Sequence, residues 1–127
     1  MNIPEDLKYS AEDEWVRVDG DVATIGITDY AQDQLNDIVY LELPAADDSF
    51  ETGETFGVVE SVKAASDLVM PVGGTVIESN EDLVDAPELI NSDPYGEAWM
   101  IKVKISDASA LDNLMDAAAY KANIESR

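Results

Sequence analysis

The sequence predicts a β-rich core of short strands with a helical C-terminal segment, in one domain spanning residues 1–127. First, apolar residues recur at every second position along 98–105, which is typical of a strand with one buried face. Second, turn signals such as Gly73-Gly74 separate the β-branched segments. Third, GVVES at 57–61 resembles TVIES at 75–79, and two similar strands flanking a hairpin suggest a sandwich of two small sheets.

The first half of the chain predicts a hairpin, a short helix and a third strand. Strands are expected at residues 15–18, 22–27 and 38–43. The first two are joined by a turn in which Gly20 supplies the unusual φ angle. Thr28 is expected to cap a helix over 29–35, with Asp29 in its first turn. Pro44 ends the third strand.

The second half of the chain predicts four more strands and a helical tail. The strands are expected at residues 56–60, 68–70, 75–78 and 98–105. Residues 63–65 are predicted to form a tight turn, 87–91 a helical turn and 93–96 a β-turn. Along 98–105 the predicted buried face comprises Trp99, Ile101, Val103 and Ile105, and the opposite face Met100, Lys102 and Lys104. Ser106 is expected to cap the tail, whose apolar face comprises Leu111, Leu114, Met115, Tyr120 and Ile124.

The charge of the chain is extreme. It has 28 acidic and 7 basic residues, a formal net charge of −21. Such a surface repels phosphate backbones and anionic membranes, so we expect neither nucleic acid nor membrane as a partner. The acidity has three readings: steering toward basic protein partners, adaptation to a salty cytoplasm, or simple maintenance of a soluble monomer.

Two missing residue types limit the chemistry. The chain has no Cys and no His. It therefore lacks a disulfide, a thiol nucleophile, a Ser-His-Asp triad and the commonest metal ligands, and we expect a non-catalytic protein without a metal site. The segment MNIPEDLKYS lacks the features of a signal peptide, which favours a cytoplasmic location.

One lysine stands out in the centre of the chain. Lys63 lies in ESVKAASD, between small or apolar residues, at the expected tip of a β-turn. An exposed, mobile and unpaired amine is what an acylating enzyme requires, although most such lysines are ordinary surface residues. The surrounding motif favours the first interpretation.

The segment FGVVESVKAASDLVMPVGGTVIESNEDL resembles the lipoyl-lysine hairpin of the glycine cleavage system H protein family. The resemblance extends to EWVRVDGDVATIGITDYAQDQLNDIVYLELP, PELINSDPYGEAWMIKVKISD and LDNLMDAAAYKANIE. Lipoyl domains of 2-oxoacid dehydrogenases resemble it only around the hairpin. Biotin carriers typically flank their lysine with methionines, whereas Val62 and Ala64 flank Lys63 here.

The resemblance implies a mainly β barrel-sandwich hybrid of two antiparallel sheets with a C-terminal helix. It implies a carrier rather than an enzyme, with lipoate joined to Lys63 by an amide bond. The glycine decarboxylase (P protein) would load the arm with an aminomethyl group, and the aminomethyltransferase (T protein) would pass it to tetrahydrofolate. Dihydrolipoamide dehydrogenase (L protein) would reoxidise the arm, which a lipoate ligase or an octanoyl or lipoyl transferase would have attached.

The resemblance also implies a cleft that shelters the loaded arm. Glu14 and Asp67 are candidates to hold its amine, and Ile27 and Gln34 to line the same cleft. Glu60 belongs to the motif that precedes the lysine. The chain departs from the family at Glu12, Asp13, Asn36 and Asn123, where the family often has a small polar residue, His, Gly and His respectively.

Four alternatives remain open from the sequence. A relay that donates lipoyl or octanoyl groups to other lipoyl domains needs the same hairpin. A degenerate, unlipoylated interaction protein is disfavoured by retention of Glu60, Lys63, Asp67 and Gly74. An independent enzyme would show activity in the unmodified chain, and a biotin carrier would bind avidin.

Overall fold

Nine strands and four short α-helices make up the protein, as seen in a computed structural model that describes residues 1–127. The strands are β1 (Lys8–Tyr9), β2 (Glu14–Asp19), β3 (Val22–Ile27), β4 (Ile38–Glu42), β5 (Ser49–Phe50), β6 (Thr55–Ser61), β7 (Ala65–Val69), β8 (Gly74–Ser79) and β9 (Ile101–Ile105). The helices are α1 (Asp29–Leu35), α2 (Glu81–Asp85), α3 (Leu89–Ser92) and α4 (Ala117–Glu125), with a 3-10 helix at Ala108–Asn113. None of the helices is long and apolar enough to span a membrane.

The strands form two antiparallel sheets. One has six strands in the order β1-β2-β3-β9-β8-β5, and the other has three in the order β4-β6-β7. The predicted mainly β class with two antiparallel sheets and a C-terminal helix is therefore confirmed. The two similar segments lie in different sheets, since 57–61 falls in β6 and 75–79 in β8.

A single large apolar core joins the two sheets. Its fully buried side chains come from strands of both sheets, and include Val16, Ile25, Leu41, Phe56, Val59, Leu68, Val76 and Val103. Burying each such side chain is worth about 1.5–3 kcal/mol relative to leaving it in water. Packing of the two inner faces is therefore the main force that fixes where β6 and β7 lie.

A second buried cluster attaches α4 to the large sheet. The rings of Tyr9 on β1 and Tyr120 on α4 stack in parallel, with centroids 4.7 Å apart. Trp15 on β2 is fully buried beside them, and its indole nitrogen donates a hydrogen bond to the Pro94 carbonyl. A Cβ on Gly26 would lie 2.7 Å from the Trp15 ring, so only glycine fits opposite this side chain.

Several local predictions are confirmed by the structure. β3 has the predicted bounds, and α1 runs over 29–35 with the Thr28 hydroxyl accepting a hydrogen bond from the Ala31 amide. Gly20 adopts φ 63°, and Asn36, which follows α1, adopts φ 66°. The expected left-handed helical conformation is not adopted, since the ψ angle of −150° places Asn36 in a region otherwise occupied almost only by glycine, and the backbone is strained where the family often has Gly.

Two predictions in the second half are wrong, and one helix was missed. Strand β9 begins at Ile101 rather than at residue 98, because residues 94–98 form a turn in which the Ala98 amide donates to the Asp93 carbonyl. Met100, expected on the polar face, is fully buried, whereas Trp99 is half-buried. Helix α2 was not predicted, since only its tertiary setting distinguishes 81–85 from a polar loop.

The boundaries of the lysine turn and of the tail also differ from prediction. The strand predicted at 68–70 is β7, which begins at Ala65 and ends at Val69. The lysine turn, predicted at 63–65, therefore ends before Ala65. Ser106 caps nothing: Asp107 caps the 3-10 helix and Asp116 caps α4, each through its carboxylate. The tail is therefore two helices rather than one, and Leu114 lies in the extended segment between them.

Candidate functional site

The turn between β6 and β7 presents Lys63 to solvent. The Ser61 hydroxyl accepts hydrogen bonds from the amides of Lys63 and Ala64, at 3.1 Å and 3.0 Å. The Ser61 amide donates to the Ala64 carbonyl at 2.8 Å, which closes the turn. The Val62 amide donates to the Asp37 carbonyl at 3.0 Å and ties the turn to the segment before β4. The backbone is thus held on both sides while the lysine side chain stays exposed.

The Lys63 amine lies over the end of α1. Its Nζ atom is 3.4 Å from the backbone carbonyl oxygen of Gln34. The sequence predicts an unpaired amine, whereas the structure gives it this one partner. This carbonyl belongs to the last turn of α1, where helix carbonyls lack intrahelical partners and attract cations. The lysine chain consequently points from the hairpin toward α1.

A small cavity of about 170 Å³ lies where α1, β7 and the start of β2 meet. Its apolar wall is formed by Ile27, Ala31, Leu35, Val59 and Leu68. Its acidic wall is formed by Glu12, Asp13, Glu14 and Asp67. Gln34 and Ser66 complete the lining, and Gln34 connects the cavity directly with the Lys63 amine.

Glu14 is the buried acid of this cavity, with 1% of its surface exposed. Its Oε1 accepts a hydrogen bond from the Ser10 hydroxyl at 2.7 Å, and its Oε2 accepts one from the Val69 amide at 3.3 Å. Burial raises the pKa of Glu14 from 4.5 to about 8, against the lowering effect of those two hydrogen bonds. The negative charges of Glu12 and Asp13 raise it further.

The structure brings together all four predicted cleft residues, whereas the motif residue Glu60 lies outside the cavity. Glu14, Ile27, Gln34 and Asp67 all line the cavity. Glu60 does not; it lies on β6 opposite Tyr40 and Ala65.

Sequence reasoning missed Ser10, which holds Glu14 through its side chain and also accepts the Glu14 amide at 3.0 Å. A serine four residues before an acid is no signal on its own, because the contact depends on the turn that precedes β2. The role of Asp13 was also missed, since its partners lie more than 100 residues away.

The donor set fits a long apolar group that ends in a cation. The apolar wall can contact a hydrocarbon chain, and the acidic wall can accept hydrogen bonds from an amine. Gln34 contacts the Lys63 amine through its carbonyl and also lines the cavity, so a chain extending from Lys63 would reach the cavity past Gln34. An exposed lysine at the tip of a rigid hairpin in a two-sheet β fold, beside such a cavity, defines a carrier domain for a covalently attached arm.

Comparison with known proteins specifies the family. The family model "Glycine cleavage H-protein" matches residues 7–127. A glycine cleavage system H protein from Bacteroides thetaiotaomicron is 57% identical over 122 residues, covering 96% of this chain and 97% of that protein. One from Staphylococcus carnosus is 57% identical over 121 residues, covering 95% and 96%. The crystal structure of an H protein from Mycobacterium marinum superposes with a TM-score of 0.90 at 36% identity, covering 97% of this chain and 99% of that one. The chain belongs to the glycine cleavage H-protein family.

Proposed function

We propose that Lys63 carries lipoate in an amide bond, and that the chain thereby serves as the lipoyl carrier of the glycine cleavage system. The observation that carries the proposal is the position of the Lys63 Nζ atom, 3.4 Å from the carbonyl of Gln34 at the rim of the cavity. Family membership supports the carrier role itself.

Lipoate supplies the chemistry that this chain lacks. When bound, it provides a disulfide that accepts the aminomethyl group of glycine and is afterwards regenerated by oxidation. The chain has no Cys or His of its own with which to do either. Its residues therefore bind, orient and shelter the arm rather than react with the substrate.

The cavity walls shelter the arm by excluding water. Ile27, Leu35 and Leu68 can contact the hydrocarbon part of a chain that extends from Lys63. Their contact replaces water along the arm, so that the group at its end is protected from hydrolysis while the carrier moves between partners.

Glu14 and Asp67 are the proposed partners of the cargo amine. The Glu14 carboxyl, with its pKa near 8, is mostly protonated at neutral pH while the cavity holds no cation. An ammonium group close to it favours the ionised form, so docking of the amine is coupled to loss of the Glu14 proton. Asp67 is exposed at the cavity edge and can accept a second hydrogen bond from the same amine.

The partners follow from the carrier role. We propose that the P protein, the T protein and the L protein each receive the arm, and that a lipoate ligase or an octanoyl or lipoyl transferase attaches it. The net charge of −21 favours partners whose docking surfaces are basic around the channel that accepts the arm.

The test is the mass of the chain after lipoylation. We expect one lipoyl group, mapped to the peptide that contains Lys63, and none in Lys63→Arg. Lys121→Arg on α4 is the control, because it alters another exposed lysine and leaves the hairpin intact. An unmodified Lys63 in cells that lipoylate other proteins, or a lipoyl group retained in Lys63→Arg, would refute the proposal.

A further inference from the structure

Asp13 is the one acid of the cavity whose charge is already neutralised within the protein. Arg127 forms an ion pair with it, with Nη1 2.9 Å from Oδ1 and 3.0 Å from Oδ2. The Tyr120 hydroxyl donates a hydrogen bond to Oδ1 at 3.0 Å. Asp13 also adopts φ 71°, in the left-handed region that most side chains avoid. These contacts hold the residue in that conformation.

The Tyr120 hydroxyl continues to α1 through a chain of hydrogen bonds with fixed direction. Its single proton goes to the Asp13 carboxylate, so the Thr28 hydroxyl, 2.7 Å away, must donate to the tyrosine oxygen. Thr28 in turn accepts the Ala31 amide at 3.1 Å and caps α1. Asp13 on the acidic wall and Ala31 on the apolar wall of the cavity are thereby linked through Tyr120.

Arg127 reaches three parts of the structure. Its Nη2 atom donates to the Ala11 carbonyl at 3.1 Å, in the loop before β2. Its Nε and Nη2 atoms donate to the Asn123 side chain on α4. Its guanidinium carbon lies 5.4 Å from the centroid of the Tyr30 ring on α1. One side chain thus spans the loop, α1 and α4 directly behind the cavity.

We propose that Arg127, together with Tyr120, is a positioning residue that joins the two walls of the arm cleft and withdraws Asp13 from the carboxylates able to bind the cargo amine. The inference rests on the proposed function, because the arm and its cargo amine belong to that function. Arg127 itself does not line the cavity.

The withdrawal of Asp13 follows from its occupied oxygens. Oδ1 accepts a hydrogen bond from Tyr120 and lies 2.9 Å from the Arg127 Nη1 atom, and Oδ2 accepts a hydrogen bond from Arg127. In contrast, the Asp67 carboxylate makes no hydrogen bond or ion pair within the protein, and Glu14 is held by Ser10 and Val69 only. The other acid of the cavity, Glu12, is exposed. A cationic cargo therefore meets Glu14 and Asp67 without competition from the adjacent Asp13.

The first test is a titration of the Glu14 carboxyl by carbon NMR on the full, unmodified chain. The negative charge of Asp13 raises the pKa of Glu14, and the positive charge of Arg127 lies 2.9 Å from the Asp13 carboxylate. We therefore expect Arg127→Gln to raise the Glu14 pKa further and Asp13→Asn to lower it. Lys121→Gln, which removes one positive charge elsewhere on α4, should leave it unchanged. Lowering in both Arg127→Gln and Asp13→Asn, or no change in either, would overturn the proposal.

The second test measures the joining of the walls by amide hydrogen exchange. In Tyr120→Phe we expect exchange at Asp13 and at the start of α1 to accelerate about tenfold, the effect of losing one hydrogen bond to a charged group. Arg127→Lys should keep the Glu14 pKa near that of the parent while exchange at Asp13 accelerates. Unaltered exchange in both variants would overturn the proposal.

Two controls keep these outcomes separate from the proposed function. Both measurements use the unmodified chain, so they do not depend on lipoylation. The mass of each variant after lipoylation should equal that of the parent, because Lys63 and its turn make no contact with Arg127. If Arg127→Gln does not fold, the exchange rates in Tyr120→Phe and Arg127→Lys decide by themselves whether the two walls are joined.

Discussion

Replacement of Glu14 by Gln should change how the stability of this protein depends on pH. The pKa of Glu14 is raised from 4.5 to about 8 in the folded chain. Between these values the folded state holds a proton that the unfolded state has lost. Stability from this group is therefore fully present below pH 4.5 and is lost as the pH rises through 8.

The magnitude follows from linkage of one proton. The free energy of unfolding falls by about 1.4 kcal/mol per pH unit inside this window, or about 3 kcal/mol from pH 5.5 to 7.5. Glu14 is 1% exposed, so solvent screening reduces this effect little. In Glu14→Gln the amide does not titrate, and the corresponding decrease should be absent.

The assay is urea unfolding at pH 5.5, 6.5 and 7.5 at constant ionic strength, followed by the fluorescence of the two tryptophans, of which Trp15 is buried. Glu5→Gln is the matched control, because it removes an exposed acid that does not act on Glu14 and should keep the slope of the parent. Equal slopes in the parent and in Glu14→Gln would refute the reasoning and place the folded-state pKa of Glu14 near its ordinary value.

Three further predictions concern stability. A Cβ on Gly74 would collide with the Lys104 carbonyl across β8 and β9, so Gly74→Ala should cost about 1–3 kcal/mol in denaturant unfolding; an unchanged midpoint would contradict this. Tyr120→Phe removes the hydrogen bond to Asp13 and should lower the free energy of unfolding by about 1–2 kcal/mol. Tyr40→Phe, at an exposed residue, should lower it little. Equal losses in the two variants would count against a role for the buried hydroxyl. Only two ion pairs accompany the net charge of −21, so repulsion between acidic residues should destabilise the fold. The melting temperature should therefore be higher in 1 M NaCl, where charges are screened beyond about 3 Å, than in 10 mM NaCl. An unchanged melting temperature would show that this repulsion is unimportant.

Local elements were the most predictable part of this fold. β3 and α1 have the predicted bounds, because the turn at Gly20 and the cap at Thr28 act through neighbouring residues. The cleft residues Glu14, Ile27, Gln34 and Asp67 were predicted from family resemblance, and the structure places them around one cavity. Their role in binding the arm stays a prediction.

The missed features depend on contacts between distant parts of the chain. Residues 98–100 have the alternation of a strand, but 94–98 form a turn, and Asn80 on the neighbouring segment binds the carbonyls of Glu97 and Trp99 before the ladder begins at Ile101. Arg127 and Asp13 are 114 residues apart, and no periodicity or spacing links them.

The sequence by itself determined the charge, the absence of thiol and imidazole chemistry, and the motif around Lys63, because composition and turn chemistry need no tertiary context. Only the tertiary structure decided which carboxylate is buried and which is neutralised. The pKa of Glu14 and the pairing of Asp13 with Arg127 depend on desolvation and on distances of a few ångströms. Those distances exist only once the two sheets and α4 have packed together.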